Sequence, residues 1–274
     1  MERLISLLSL KPIILGFVAM LISGATFPLA GVIIVRDSLI PMRYMLMHGV
    51  ILGGIFSIAF GLPLIPVVVL INILLVLIMV FTRKDKFGGN GFSTISTLMM
   101  VCTMGIASLL SKVFDIPAKE TLDLFWGSPF TLTNSDLIIL ISLSVILVAY
   151  ICAFFKEISM LFFDKDIAIS MGVNVRFHNT LMLLITALII SVSMKMIGAL
   201  LIDALVILPV VTAGKTARGL KDLFIRSSVT GFVLSFTGYI LSLVFNLPLS
   251  GVLAILSAIL LFTINFISFL RKKS

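Results

Sequence analysis

The residues of this chain with most scope for chemistry are few, and they lie where charge is costly. Residues 197–213, IGALLIDALVILPVVTA, form an almost wholly apolar run of helix length with one carboxylate, Asp203, and one proline, Pro209. An acid within a hydrocarbon-length segment costs about 2.5 to 3.5 kcal/mol on insertion scales, so it marks a polar path or a specific partner. Pro209 removes a backbone donor and predicts a break near Val206 to Pro209, leaving carbonyls that must face a cavity, water or another helix. A carboxylate suits hard or borderline divalent cations, and two copies meeting at a dimer axis repel unless a cation or proton sits between them. The competing role for Asp203 is a partner for Lys195 or for a backbone donor on a neighbouring helix.

His48 is the one histidine inside an apolar span. Neutral imidazole is the commonest transition-metal ligand, so His48 joins Asp203 as a candidate metal ligand, with a hydrogen-bonded packing role as its alternative. His178, beside Arg176 at a helix start, reads as solvated or interfacial. The fourteen methionines would suit soft Cu(I) but form no dense array, and read as packing residues. Cys102 and Cys152 have no metal-type spacing and read as buried small hydrophobes. FGGNGFST, from Phe87, lacks the lysine of a phosphate-binding loop, and there is no G-x-S-x-G, H-E-x-x-H or aspartate-rich diphosphate motif. The chain therefore reads as no enzyme, with neither ATP nor a cofactor of its own.

The elements that must position these residues are membrane helices. With 60% hydrophobic residues, 12% charged residues and a mean hydropathy of +1.28, the sequence has no polar surface to cover a water-soluble core. The expected fold is all-α and polytopic, a single transmembrane domain over residues 1–274. A spanning helix needs about 20 apolar residues. Such helices are expected at 12–35, 44–60, 63–82, 93–111, 136–155, 179–194, 197–213, 227–245 and 250–270, giving nine spans, or eight if the first is re-entrant. Gly61-Leu62-Pro63 and Asn246-Leu247-Pro248 read as tight hairpin joints, and Lys195 as a joint so short that 179–213 could be one broken unit. The first ten residues lack a small-residue cleavage site, so no cleavable leader is expected.

Basic residues collect in alternate loops: Arg36 and Arg43; Arg83, Lys84 and Lys86; Lys156, Lys165 and Arg176; Lys215, Arg218, Lys221 and Arg226; and the tail at Arg271. By the positive-inside rule these loops face the cytoplasm, so the net charge of +8 is a topology signal and implies no nucleic-acid partner. Loop 112–135, with Asp115, Glu120 and Asp123, then lies outside. The longest cytoplasmic connection, 156–178, is not a simple polar linker. Ile158, Leu161, Phe162, Ile167, Ile169 and Met171 flank Asp164, Lys165 and Asp166, which predicts a short surface helix ending at Gly172. Its exposed apolar residues need membrane lipid or a protein subunit to cover them.

Two elements together carry a resemblance. FDKDIAISMG matches a D-x-x-x-A-x-x-x-G element through Asp164, Ala168 and Gly172. The 197–213 helix matches V-G-x-L-L-V-x-A-L-L-x-x-P-A-x-x-A through Gly198, Leu200, Leu201, Ala204, Leu205, Pro209 and Ala213. This order resembles the integral-membrane permease family of metal-importing ABC transporters, and PIILGFVAMLISGATFPLAGVIIVRDSLI and LFWGSPFTLTNSDL resemble its first helix and its external loop. The resemblance implies a homodimeric pore in a bacterial or archaeal plasma membrane. It also implies a cytoplasmic ATPase docked on Asp164, Ala168 and Gly172, an extracytoplasmic metal-binding protein, and a transported divalent ion, zinc or manganese before ferrous iron. The alternatives are a permease for an iron chelate or cobalamin, or an ion-coupled secondary transporter. One departure is plain: the family's D-x-x-S-H-A is replaced here by SLIPMRYMLMHGV, with His48 but with Tyr44 and Met47 where the motif's Asp and Ser would stand.

Overall fold

The computed structural model describes residues 10–82, 91–117, 119 and 128–273, all organised around helices. In chain order these are α1 (Lys11–Arg36), α2 (Ile40–Phe60), α3 (Leu64–Thr82), α4 (Gly91–Val113), α5 (Asn134–Ala153), α6 (Phe155–Phe163), α7 (Lys165–Ser170), α8 (Val175–Ile197), α9 (Ala199–Val206), α10 (Leu208–Gly214), α11 (Leu220–Phe245) and α12 (Leu249–Lys273). Among the described residues, 8 helices are long and apolar enough to cross a membrane, and α9 with α10 makes a shorter apolar pair. The expected all-α polytopic fold is observed, with eight full spans and the 197–213 segment broken. Gly88 and Gly89 and the basic residues Arg83, Lys84 and Lys86 lie outside the described residues, as do Glu120 and Asp123.

The chain forms two compact units. One comprises residues 1–35, 128–148 and 196–274; the other comprises 36–127 and 149–195. In the first, α1 approaches α11 closely at Gly24 and Gly231, where a Cβ on Gly24 would sit 2.6 Å from the Gly231 carbonyl oxygen. Small residues at such crossings let helix backbones touch where lipid supplies no hydrophobic drive for association. The buried Tyr239 of α11 ties the same unit together by donating its hydroxyl to the Ile13 carbonyl at 2.7 Å. Its ring packs on Phe17 and Phe130 at centroid distances of 5.3 and 5.7 Å.

In the second unit α2 packs against α3 and α4. Helix α3 shows how little of a membrane helix need be covered by protein. Val68, Asn72, Val76 and Met79 form one buried stripe at three- and four-residue spacing, while Leu70, Leu74, Ile78 and Phe81 are exposed. Asn72 is the polar member of that stripe. Its amide nitrogen donates to the Leu46 carbonyl at 3.2 Å and to Ser191 Oγ at 2.6 Å, joining α3 to α2 and α8.

Three helices end in the same way. Ser57-Ile-Ala-Phe-Gly61-Leu-Pro, Ser111-Lys-Val-Phe-Asp115-Ile-Pro and Ser242-Leu-Val-Phe-Asn246-Leu-Pro share the pattern S-x-x-F-[GDN]-[LI]-P. The fifth residue is left-handed in each, with φ of 63°, 47° and 53°. The next amide then reaches back to the serine carbonyl: Leu62, Ile116 and Leu247 donate to Ser57, Ser111 and Ser242 at 2.9, 2.9 and 3.1 Å. Each serine hydroxyl returns a bond to the carbonyl of that same residue, at 2.5, 3.5 and 2.7 Å. Proline follows and forbids continuation of the helix. The two joints expected at Gly61 and Asn246 are therefore tight, and a third of the same construction closes α4.

Some expectations need correction. The break expected at Lys195 lies at Gly198, whose φ of 92° suits glycine, so Lys195 belongs to α8. Arg43 is not a loop residue: it lies in the first turns of α2, buried, with its guanidinium 4.3 Å from the centre of the Tyr44 ring. Cys102 and Cys152 are exposed on helix surfaces rather than buried. His178 is 6% exposed, packed against the rings of Tyr150 in α5, Phe154 just beyond it and Phe177 in α8.

Candidate functional site

The helix carrying Asp203 is broken twice. Gly198 separates α8 from α9, and Ile207 separates α9 from α10, where Pro209 stands in the first turn. Proline has no amide hydrogen, so the Leu205 carbonyl four residues before it lacks its helical donor. The ladder resumes around it, with Ile207 donating to the Asp203 carbonyl at 3.2 Å and Val211 to the Ile207 carbonyl at 3.0 Å. Val206 turns its carbonyl toward Gly31 of α1, where any Cβ would overlap the oxygen. Irregular backbone at membrane depth is tolerated only inside protein, and the flanking Leu201, Ile202, Ala204, Leu205 and Val206 are all buried. Asp203 itself is half-buried.

His48 stands on α2 in the other unit, half-buried, at one end of a cleft of about 570 Å³ between α2 and α4. Met104, Ser108, Ser111 and the exposed Lys112–Asp115 pair, 3.9 Å apart, line the cleft toward the end of α4. Hydroxyl, thioether and imidazole groups make it a mixed polar lining in an otherwise apolar region. Among the described residues no three His, Cys, Asp or Glu side chains cluster as a metal site would require. Asp203 and His48 thus belong to different units, and neither sits in a ready-made cage.

The 156–178 segment is built differently from a single helix ending at Gly172. It is two short helices, α6 and α7, joined at Asp164 in extended conformation. Asp164 caps α7: its Oδ1 accepts from the amides of Asp166 and Ile167 at 2.8 and 3.1 Å. Ala168 is wholly buried on the inner face with Ile158 and Leu161. At the end of α7 the Gly172 amide donates to the Ile169 carbonyl and the Val173 amide to the Ala168 carbonyl, both at 3.0 Å, with Gly172 at φ 81°. This is a Schellman ending, which favours glycine at that position. The three residues matched in sequence therefore have three structural tasks: start, inward contact and stop. Outward, Phe163, Ile167, Ile169 and Met171 are exposed. Lys165 pairs with Asp37 at 3.3 Å, fixing α7 to the α1–α2 joint.

Sequence reasoning missed two groups. Tyr150 and His178 close the base of the segment, with the tyrosine hydroxyl 3.3 Å from His178 Nδ1 and Phe154 edge-on to the imidazole at 5.1 Å. Nothing in their spacing announces this. Asn72 was more accessible to inference, as a lone amide within the apolar run of α3.

The ABC 3 transport family matches residues 10–268, nearly the whole described length. The chain belongs to this family. Among its relatives, the manganese import system permease protein ScaB of Streptococcus gordonii is 24% identical over 254 residues, covering 92% of this chain and 89% of that protein. An uncharacterized membrane protein of Cyanophora paradoxa, from the ycf23-apcF intergenic region, is 27% identical over 265 residues, 96% of this chain and 86% of that one. Among solved structures, PsaBC from Streptococcus pneumoniae in complex with Fab superposes with a TM-score of 0.82 at 20% identity, covering 100% of this chain and 99% of that one. That likeness establishes a shared fold. Membership of the ABC 3 family also gives the sequence resemblance its basis, and the chain is a multi-pass transport protein.

Proposed function

We propose that this chain is the permease subunit of an ABC importer for a divalent metal ion, with manganese as the first candidate cargo and zinc as its competitor. The observation that carries the reading is the capped α6–α7 pair, whose inner face is buried and whose outer face offers Phe163, Ile167, Ile169 and Met171 with no covering element among the described residues. A short, rigid, apolar-faced helix beside the ends of two spanning helices is what a soluble motor needs to push on. The manganese assignment rests on the name of the ScaB relative. In this reading Asp164, Ala168 and Gly172 form the docking element for a separate cytoplasmic ATPase. Asp203 and His48 hold the ion in passage, and a second copy of the chain completes the pore in the plasma membrane. An extracytoplasmic protein delivers the ion. Few and weak ligands agree with transfer, because a site that binds too tightly does not release.

The test is reconstitution of the chain in liposomes with the ATPase subunit that copurifies with it, with radioactive manganese uptake followed with and without ATP. ATP-dependent uptake that falls at least tenfold in Asp203→Asn or His48→Ala supports the reading. Uptake by the chain alone, driven by an ion gradient, would make it a secondary transporter. Unchanged uptake in both variants would remove these residues from the path.

A further inference from the structure

A cavity of about 530 Å³ lies in the unit of residues 36–127 and 149–195, between the end of α3 and the start of α8. Its walls differ in kind. Val80, Phe81 and Leu183 make an apolar side; Arg176, Asn179 and Thr180 make a polar one. Arg176 supplies a cation in the first turn of α8, where the helix dipole also favours negative charge. Asn179 supplies the opposite need. It is 6% exposed, and its side-chain oxygen is buried with no hydrogen-bond partner. A buried acceptor left unsatisfied costs free energy, so a ligand that donates to it gains by binding.

One ligand that answers all three features carries an anion for Arg176, a hydrogen-bond donor for Asn179 and an apolar body for the remaining wall. We propose that this cavity binds a membrane phospholipid whose headgroup carries a hydrogen-bond donor, such as phosphatidylethanolamine or phosphatidylglycerol. The phosphate pairs with Arg176, and the ammonium or glycerol hydroxyl donates to Asn179. The acyl ester end lies against Val80, Phe81 and Leu183. Both α3 and α8 are spanning helices, and by the distribution of basic residues these ends face the inner leaflet, so the cavity lies where headgroups are. Phosphatidylcholine has the same phosphate but a quaternary nitrogen that cannot donate, so the site distinguishes it. The inference depends on the chain being a membrane protein and not on which ion it moves.

Native mass spectrometry of the full-length protein in its purified complex, titrated with each of the three lipids, tests this. Phosphatidylethanolamine and phosphatidylglycerol are expected to be retained about tenfold better than phosphatidylcholine, the scale of one hydrogen bond to an acceptor otherwise left buried and unsatisfied. Arg176→Gln, at an exposed position that leaves the fold intact, should lower retention of both by about tenfold. Asn179→Leu should bring them to the phosphatidylcholine level. Equal retention of all three lipids by the unsubstituted protein overturns the proposal, as does retention unchanged in Arg176→Gln. Displacement of the lipid by an equal concentration of inorganic phosphate also overturns it, because the site would then belong to a soluble anion. Lipid bound only after the cytoplasmic subunit is stripped away would assign the cavity to that protein partner.

Discussion

Two kinds of helix interruption among the described residues make an instructive contrast. The joints at Gly61, Asp115 and Asn246 are self-contained. A serine, a left-handed residue, an apolar residue and a proline within seven positions satisfy their own carbonyls and stop the helix. The break from Gly198 to Pro209 is not self-contained. Proline removes a donor, but the shape of the break depends on Gly31 of α1, far away in sequence, leaving room for the Val206 carbonyl. Joints at the ends of spans can be solved by neighbours in the sequence and by water. A break within the membrane has to be solved by another helix.

The largest effect that would break this contrast is expected at Gly31. Gly31→Val drives a branched side chain into the Val206 carbonyl and should cost about 3 kcal/mol, the upper part of the usual overpacking range. It should abolish recovery of monodisperse protein by size-exclusion chromatography; normal yield and melting temperature would mean that the break is as self-sufficient as the joints. An intermediate effect is expected at the joint serines. Ser57→Ala and Ser242→Ala each remove one hydroxyl bond, about 1 kcal/mol apiece, read as a small drop in thermal midpoint that adds in the double variant. A smaller response is expected from Asn246→Gly, which keeps the left-handed backbone at no steric cost and should move the midpoint little. A drop there comparable to Ser242→Ala would assign a tertiary role to the Asn246 side chain. Asp164→Ala tests the α6–α7 segment in the same terms. Loss of the cap should cost about 1 kcal/mol of local helix stability and appear as faster amide exchange confined to α7.

The same contrast explains what could be read in advance. Hydropathy located the full spans to within about four residues, because lipid exposure demands long apolar runs and short polar joints, except that α11 begins at Leu220 rather than 227. Pro209 located the second break, since the missing donor is a property of one residue. The first break was misplaced at Lys195 because a charge draws attention, whereas the φ of 92° at Gly198 becomes visible only in the folded backbone. The S-x-x-F-[GDN]-[LI]-P repeat was present in the sequence but has a different left-handed residue each time, so a glycine search finds one copy of three. His178 was misread because its burial comes from Tyr150, Phe154 and Phe177, and only Phe177 is adjacent in the chain. Asp164, Ala168 and Gly172 were found through the family pattern, and the fold gives each a local reason. For Asp203 and His48 the sequence supplies residue types, while their surroundings are set by packing that no local pattern encodes.

The short length of α9 bears on how the protein is made. Eight residues rise about 12 Å, well under the roughly 30 Å of hydrocarbon that a released helix must cross. Neither α9 nor α10 can therefore partition into lipid as a finished element, and the Leu205 carbonyl freed by Pro209 would be stranded there. Their packing partners α11 and α12 lie later in the chain. We expect the segment bearing Asp203 to stay sheltered at the insertion machinery until residues beyond 220 have been synthesised, so a nascent chain halted before α11 should leave 199–214 accessible to aqueous cysteine labelling.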